Sequence, residues 1–214
     1  LQLGTDTLLQ CSFDTEAEGA TGGHELVAGK FGQALYLGAP DGRLVLDTSK
    51  LTFGSEGTVE FWVRPRPAQR LWWDQGWHYF LHCEPAEGQP EQAVTIDISR
   101  HPSTQLRATV ATRDGKATEA ASIATGDASI EDWHHLLFSW DFTRKPQYIW
   151  FLLDGVGTQV HFTPQFAPTQ FGRIEIGNAP LGSGLPYLPI DGAVDDVVVS
   201  GKSVRTRLQR TLGG

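Results

Sequence analysis

Hydrophobic residues in this chain recur at every second position, and that period limits the fold more than any other feature. Val59, Phe61 and Val63 alternate with Thr58, Glu60, Trp62 and Arg64. The same alternation runs through Thr95-Ile96-Asp97-Ile98 and through Leu106 to Val110. Further runs are His134 to Trp140, Tyr148 to Leu153, Arg173 to Ile176 and Val194 to Val199. Side chains of an extended chain point alternately to opposite faces, so a period of two marks strands with one face buried. Asp41-Gly42, Asp114-Gly115, Asp154-Gly155 and Gly182-Ser183-Gly184 punctuate the runs. Short strands separated by turn signals at intervals of roughly 8–15 residues predict a sandwich or closed barrel rather than βαβ units. Only Ser129 to Asp132, and the tail bearing Val204, Leu208 and Leu212, have a pattern that suits a helix. The chain is predicted to be all-β.

Composition bounds the partners. Seventeen Lys and Arg face 25 Asp and Glu over 214 residues, a formal charge of −8. That balance argues against an electrostatic hold on nucleic acid or anionic lipid. The basic residues of the tail, Lys202, Arg205, Arg207 and Arg210, read as a solvated face. No apolar stretch approaches the ~18 residues of a membrane helix, and the first residues lack a basic region followed by an apolar block. Membrane insertion is not expected. With no methionine and a Gly213-Gly214 ending, residues 1–214 are expected to be one domain, a module of a longer polypeptide. Cys11 and Cys83 allow one disulfide in an oxidising compartment or two buried thiols, and both alternatives stay open.

The alternation also assigns faces. Val59, Phe61 and Val63 form a core stripe, which leaves Thr58, Glu60, Trp62 and Arg64 on the opposite side. By the same count Ile149, Phe151 and Leu153 point inward, and Tyr148, Trp150 and Leu152 outward. Leu136, Phe138 and Trp140 read as inward, with Trp133, His135 and Ser139 outside. Trp62 and Trp150 therefore lie opposite the core, where an isolated domain would prefer polar atoms.

The order of segments resembles a known family. Gly29-Lys30-Phe31-Gly32-Gln33-Ala34-Leu35-Tyr36-Leu37-Gly38 looks like the "GkfGqAl-f-g" signature of laminin G-like domains in the concanavalin A-like lectin/glucanase superfamily. Thr58 to Pro65 resembles its "tiefWvkP" strand, Trp133-His134-His135-Leu136 its "WhHva", and Phe151 to Gly155 its "lyvDG". Ile174 to Gly177 and Gly192 to Val197 are similar to "l-iG" and "G-iDdv". The resemblance spans Cys11 to about Leu208 and implies a jelly-roll sandwich of two antiparallel sheets, one concave and one convex, in a secreted or cell-surface protein. It further implies one structural calcium, held by Asp195, by the Ser12-Phe13-Asp14 stretch including Asp14, and by Gly38. Carboxylate and carbonyl oxygens suit such a hard cation.

Catalysis is not expected. The glucanases of that superfamily set their carboxylates as Glu-x-Asp on one strand face, about 5–5.5 Å apart. No Glu here is followed two positions later by Asp. Tyr79, His78 and Arg64 are residue types that a polysaccharide lyase uses, but the lyase motifs are missing, as are the nucleophile elbow and the P-loop. For zinc, His78 and His82 are expected to share a strand face while Cys83 points the other way, which spoils the ligand set.

Glycan binding is the sharpest expectation. A sugar offers a flat apolar face rimmed by hydroxyls, so its sites pair aromatic platforms with polar side chains. Trp62 and Trp150 are expected to supply platforms on the concave face, with Trp72, Trp73 and Trp77 closing it from a loop. Glu60, Arg64 and His135 are the expected hydrogen-bonding groups, and Arg66 and Arg70 lie near the same rim. The chain then reads as a non-catalytic carbohydrate-binding module. The alternative is a structural or protein-binding module using the same aromatics as hot spots; a glycan hydrolase or lyase comes last.

Overall fold

The computed structural model describes residues 6–38, 41–65, 78–101, 105–125, 132–163, 165–178 and 189–206. They form strands β1 (Thr7–Cys11), β2 (Ala20–Thr21), β3 (Glu25–Ala28), β4 (Gln33–Tyr36) and β5 (Arg43–Asp47). Then come β6 (Glu56–Pro65), β7 (His78–Pro85), β8 (Val94–His101), β9 (Gln105–Thr112) and β10 (Thr118–Ala124). The last five are β11 (His134–Asp141), β12 (Gln147–Leu153), β13 (Val156–Phe162), β14 (Phe171–Ile176) and β15 (Gly192–Ser200).

The strands make two antiparallel sheets. The larger has eight strands in the order β13-β12-β11-β6-β15-β4-β3, with β1 also on β15. The smaller has seven, in the order β10-β9-β8-β7-β14-β5-β2. The larger sheet gains its eighth strand because the N-terminal strand β1 adds along β15. Consecutive strands often leave one sheet for the other, which is the jelly-roll sandwich that the resemblance implies and one of the two all-β forms that the alternation predicts.

The core lies between the sheets. From the larger sheet come Val59, Phe61, Val63, Leu136, Phe138, Trp140, Ile149 and Phe151, and from the smaller Leu81, Cys83, Ile96, Ile98, Val110, Ile174 and Ile176. An aromatic knot joins the layers, with Phe53 5.4 Å from Trp140 and 5.5 Å from Phe171 between ring centres. Trp140 buries its ring and still donates Nε1–H to the Gly54 carbonyl at 2.7 Å. Gln147 is 2% exposed and serves four backbone groups. Its amide donates to the Phe142 and Phe166 carbonyls, and its Oε1 accepts the Gln165 and Phe166 N–H groups.

Both cysteines are free thiols. Cys11 lies in the larger sheet and Cys83 in the smaller. Burial pushes the Cys11 thiol up to about 11, helped by Glu18, and pushes Cys83 well above its ordinary range. Of the open alternatives, the structure takes two free thiols, Cys83 buried and Cys11 half-buried.

Candidate functional site

Strand register decides what the outer face of the larger sheet presents. Trp62 of β6 lies opposite His135 of β11 on one side and Asp195 of β15 on the other. Glu60 faces Leu137, Thr58 faces Ser139, and Trp150 of β12 lies next to Ser139. The expected outward set of Glu60, Trp62, Arg64, His135 and Trp150 does share this face. It does not form one site. Trp62 and Trp150 are offset by four residues and two strands, roughly 16 Å from strand rise and spacing.

Around Trp62 the side chains converge. The His135 ring lies 5.0 Å away, Phe31 meets the indole edge-on at 6.0 Å, and the Lys30 ammonium sits 4.5 Å from the ring centre. His135 Nε2 pairs with Glu60 at 3.3 Å. Next to this group the Arg64 guanidinium lies 4.8 Å from the Trp133 ring and donates to the Ala28 carbonyl at 3.2 Å. Cations over indole faces gain from the ring quadrupole. Phe31 is 51% exposed. Lys30, Phe31 and Trp133 thus belong to the cluster, although the Gly29-Lys30-Phe31-Gly32 segment reads in the sequence only as a family signature. The β3–β4 turn brings it there, and that juxtaposition is tertiary.

The turn is held by two carboxylates. Asp195, fully buried, accepts the Phe31 N–H at 2.9 Å on Oδ2 and the Asp196 N–H at 2.7 Å on Oδ1. Asp14 accepts the Gln33 N–H at 3.0 Å. Gly32 has φ +62°, and a Cβ there would lie 1.9 Å from Asp14 Oδ1. Burial raises the Asp195 carboxyl above its usual range, opposed by N–H bonds from Phe31, Asp196 and Lys30. These contacts bear on the implied calcium. Asp195 and Asp14 converge on the Gly29–Gln33 turn as acceptors of backbone N–H groups. Gly38 lies past the other end of β4, beside the Tyr36 hydroxyl. Among the described residues no three His, Cys, Asp or Glu are grouped to hold a metal. As arranged, the three residues do not fit one calcium.

The far end of the same face is covered. Residues 201–206 fold back over it, where Thr58 Oγ1 donates to the Lys202 carbonyl at 2.8 Å and Val204 N–H donates to Ser139 Oγ at 2.9 Å. Glu56 accepts from Lys202 Nζ, Ser203 N–H and Ser203 Oγ at 3.1, 3.2 and 2.9 Å, and from Thr206. Tyr148, outward by its alternation, is consequently buried. Trp150 remains half-buried beyond this cover.

A second polar group stands on the outer face of the smaller sheet. His82 Nδ1 lies 2.6 Å from Asp97 Oδ1, and the Tyr79 hydroxyl donates to the same oxygen. The sequence expectation paired His78 with His82 on one face, and the structure corrects it. A register shift between Tyr79 and Leu81 puts an extra residue in β7, so His82 shares its face with Tyr79. His78 falls on the inward side beside Arg100 and bonds the Pro189 carbonyl at 2.8 Å. A bulge breaks alternation, and nothing in the local sequence marks it. Trp72, Trp73, Trp77, Arg66 and Arg70 lie outside the described residues.

The comparisons with known proteins come to the same fold. Curated protein sequences give no match. Among solved structures, the botulinum neurotoxin type G receptor binding domain superposes with TM-score 0.60 at 10% identity, over 96% of this chain and 52% of that one. Mouse laminin α1 chain domains LG4-5 give 0.58 at 14% identity, over 84% and 44%. Trypanosoma rangeli sialidase in complex with sialic acid gives 0.65 at 13% identity, over 98% and 33%. This chain therefore spans about half, or less, of each of these chains, and at such identities the likeness is one of fold. The laminin G type of sequence pattern matches residues 37–207, which carries most of the strands just described. The chain belongs to the laminin G family within the concanavalin A-like lectin/glucanases superfamily.

Proposed function

We propose that this domain is a non-catalytic binding module whose ligand is a glycan, contacted at the open end of the larger sheet's outer face. The observation that carries the reading is the group around Trp62. Phe31, Trp62, Trp133 and His135 offer apolar ring surface on a side opposite the core, while Lys30, Arg64 and Glu60 supply donors and acceptors at its border. Sugars are held by that combination. The non-catalytic part is supported by the state of the carboxylates. Asp97 is bonded by Tyr79 and His82 and Glu175 is paired with two arginines, and the chain has no Glu followed two positions later by Asp as in the superfamily's glucanases. We place the domain in a secreted or cell-surface polypeptide with further domains, as the family resemblance implies.

A second reading keeps the face and changes the partner. Phe31 at 51% exposure is the kind of aromatic that anchors protein interfaces. Binding of the purified domain to neutral, uronic and sulfated polysaccharides, each with calcium and with chelator, separates the two. A glycan whose binding drops at least tenfold in Trp62→Ala and Phe31→Ala, with both variants folded, supports the module. A blank across the panel moves the face to a protein partner. Calcium dependence of binding would restore a metal site that the described residues do not form.

A further inference from the structure

Away from the aromatic face, a chain of alternating charges crosses the smaller sheet. Glu175 of β14 points away from the core yet is 1% exposed. It meets Arg43 Nη1 of β5 at 3.0 Å and Arg173 Nε at 2.9 Å. Arg173 is also paired with Glu84 of β7. Two carboxylates thus fix the Arg173 guanidinium, which stays 40% exposed. Here the β7–β14 register slips between Phe171 and Arg173. Gly172 comes so close to the next turn that a Cβ on it would lie 2.8 Å from Ala86 Cα. Bulges of this kind re-aim side chains at sheet borders.

Beside the slip lies a cleft of about 380 Å³, lined by Ser49, Glu84, Glu87, Arg113, Gly172 and Arg173 among others. Main-chain bonds set its walls: Ala86 N–H to Gln170 O at 2.8 Å, Thr48 N–H to Gly172 O at 3.0 Å and Arg113 N–H to Ala93 O at 3.0 Å. Arg173 and Glu84 satisfy each other. Arg113 and Glu87 have no side-chain hydrogen bond or ion pair among the described residues. The cleft therefore presents one exposed cation and one exposed anion, neither held by a side-chain partner among the described residues, beside a preorganised pair. A ligand of a single charge would leave one of them unmatched and repelled; one carrying both signs answers both. We infer that this cleft binds a small zwitterion of the amino-acid class, its carboxylate toward Arg113 and its ammonium toward Glu87. The volume lies in the range of small-ligand sites, about 300–1,000 Å³.

The test is an NMR titration of the ¹⁵N-labelled domain with glycine, β-alanine and γ-aminobutyrate, and with acetate and methylammonium as singly charged controls. A saturable response to at least one zwitterion, centred on the amides of Ala86, Arg113 and Gly172, is expected, with none from the controls at equal concentration. Arg113→Gln and Glu87→Gln, both at exposed positions, should each weaken it at least tenfold, and the exchanged pair Arg113→Glu with Glu87→Arg should recover part of the loss. Trp62→Ala should leave it unchanged, which separates this cleft from the aromatic face. No saturable response to any zwitterion, an equal response to acetate, or undiminished binding in Arg113→Gln overturns the inference.

Discussion

Single residues hold the Gly29–Gln33 turn in place, and through it the aromatic group. Gly32 combines a left-handed φ of +62° with contact to Asp14, so any side chain there strains the backbone and displaces a carboxylate. Gly32→Ala should cost about 1–3 kcal/mol in urea unfolding and shift the environment of Phe31. Asp195→Ala strands two part-buried N–H groups and should cost a similar ~1–3 kcal/mol. A different carboxylate sets an acid response. The Thr112 hydroxyl bond, then the Lys116 N–H and ammonium, lower Asp114 from 3.8 to about 2. A depressed carboxyl contributes stability that is present above its unfolded value and lost as pH falls through the folded one. That contribution should fade between pH 3.8 and about 2, and Asp114→Asn should flatten the urea midpoint over that window. Because the Lys116 ammonium paired with it is 79% exposed, added salt should shrink that share of the effect.

At the scale of elements, the strands with one buried face are readable from alternation. The runs at 58–64, 95–98, 106–110, 134–140, 148–153, 173–176 and 194–199 all fall within strands, each extended by one or more residues at one or both ends. The border strands β10 and β13 and the short β2 and β3 lack a strong apolar stripe, since little of their surface meets the core. β7 is long and buried on both faces, so its period was blurred before the bulge shifted it. The returning 201–206 segment depends on Glu56. Glu56→Ala should leave the β6–β11 ladder protected from hydrogen exchange while the Val204 and Thr206 amides lose protection. Gln147→Ala should cost more than an ordinary surface change, at least about 1–3 kcal/mol, because four backbone groups lose their partner.

For the whole molecule, the aromatic knot makes the two sheets one cooperative unit. Phe171 is fully buried and touches both Phe53 and Trp140, so Phe171→Ala should cost about 3–5 kcal/mol and be read directly by denaturant unfolding. Chelation is the complementary experiment. With Asp195 and Asp14 engaged by backbone N–H groups, EDTA is expected to leave the melting temperature unchanged. A clear fall on chelation would mean that the turn rearranges around an ion.

What the sequence determined by itself was every property that depends on neighbours along the chain. Alternation assigned strands and faces, and with them the place of Trp62, Glu60, Arg64, His135 and Trp150 opposite the core. The family motifs, read in order, identified the fold. Tertiary structure alone decided which of those outward residues meet. Lys30 and Phe31 reach Trp62 through the turn that Asp14 and Asp195 clamp, and Trp150 is held apart by strand spacing. The cleft at Gly172, the reversal of His78 and His82, and the charge chain through Glu175 all arise from register slips and cross-strand pairing. A one-residue slip reverses a side chain's face at no visible cost in local sequence, so these contacts become apparent only when the strands are laid side by side.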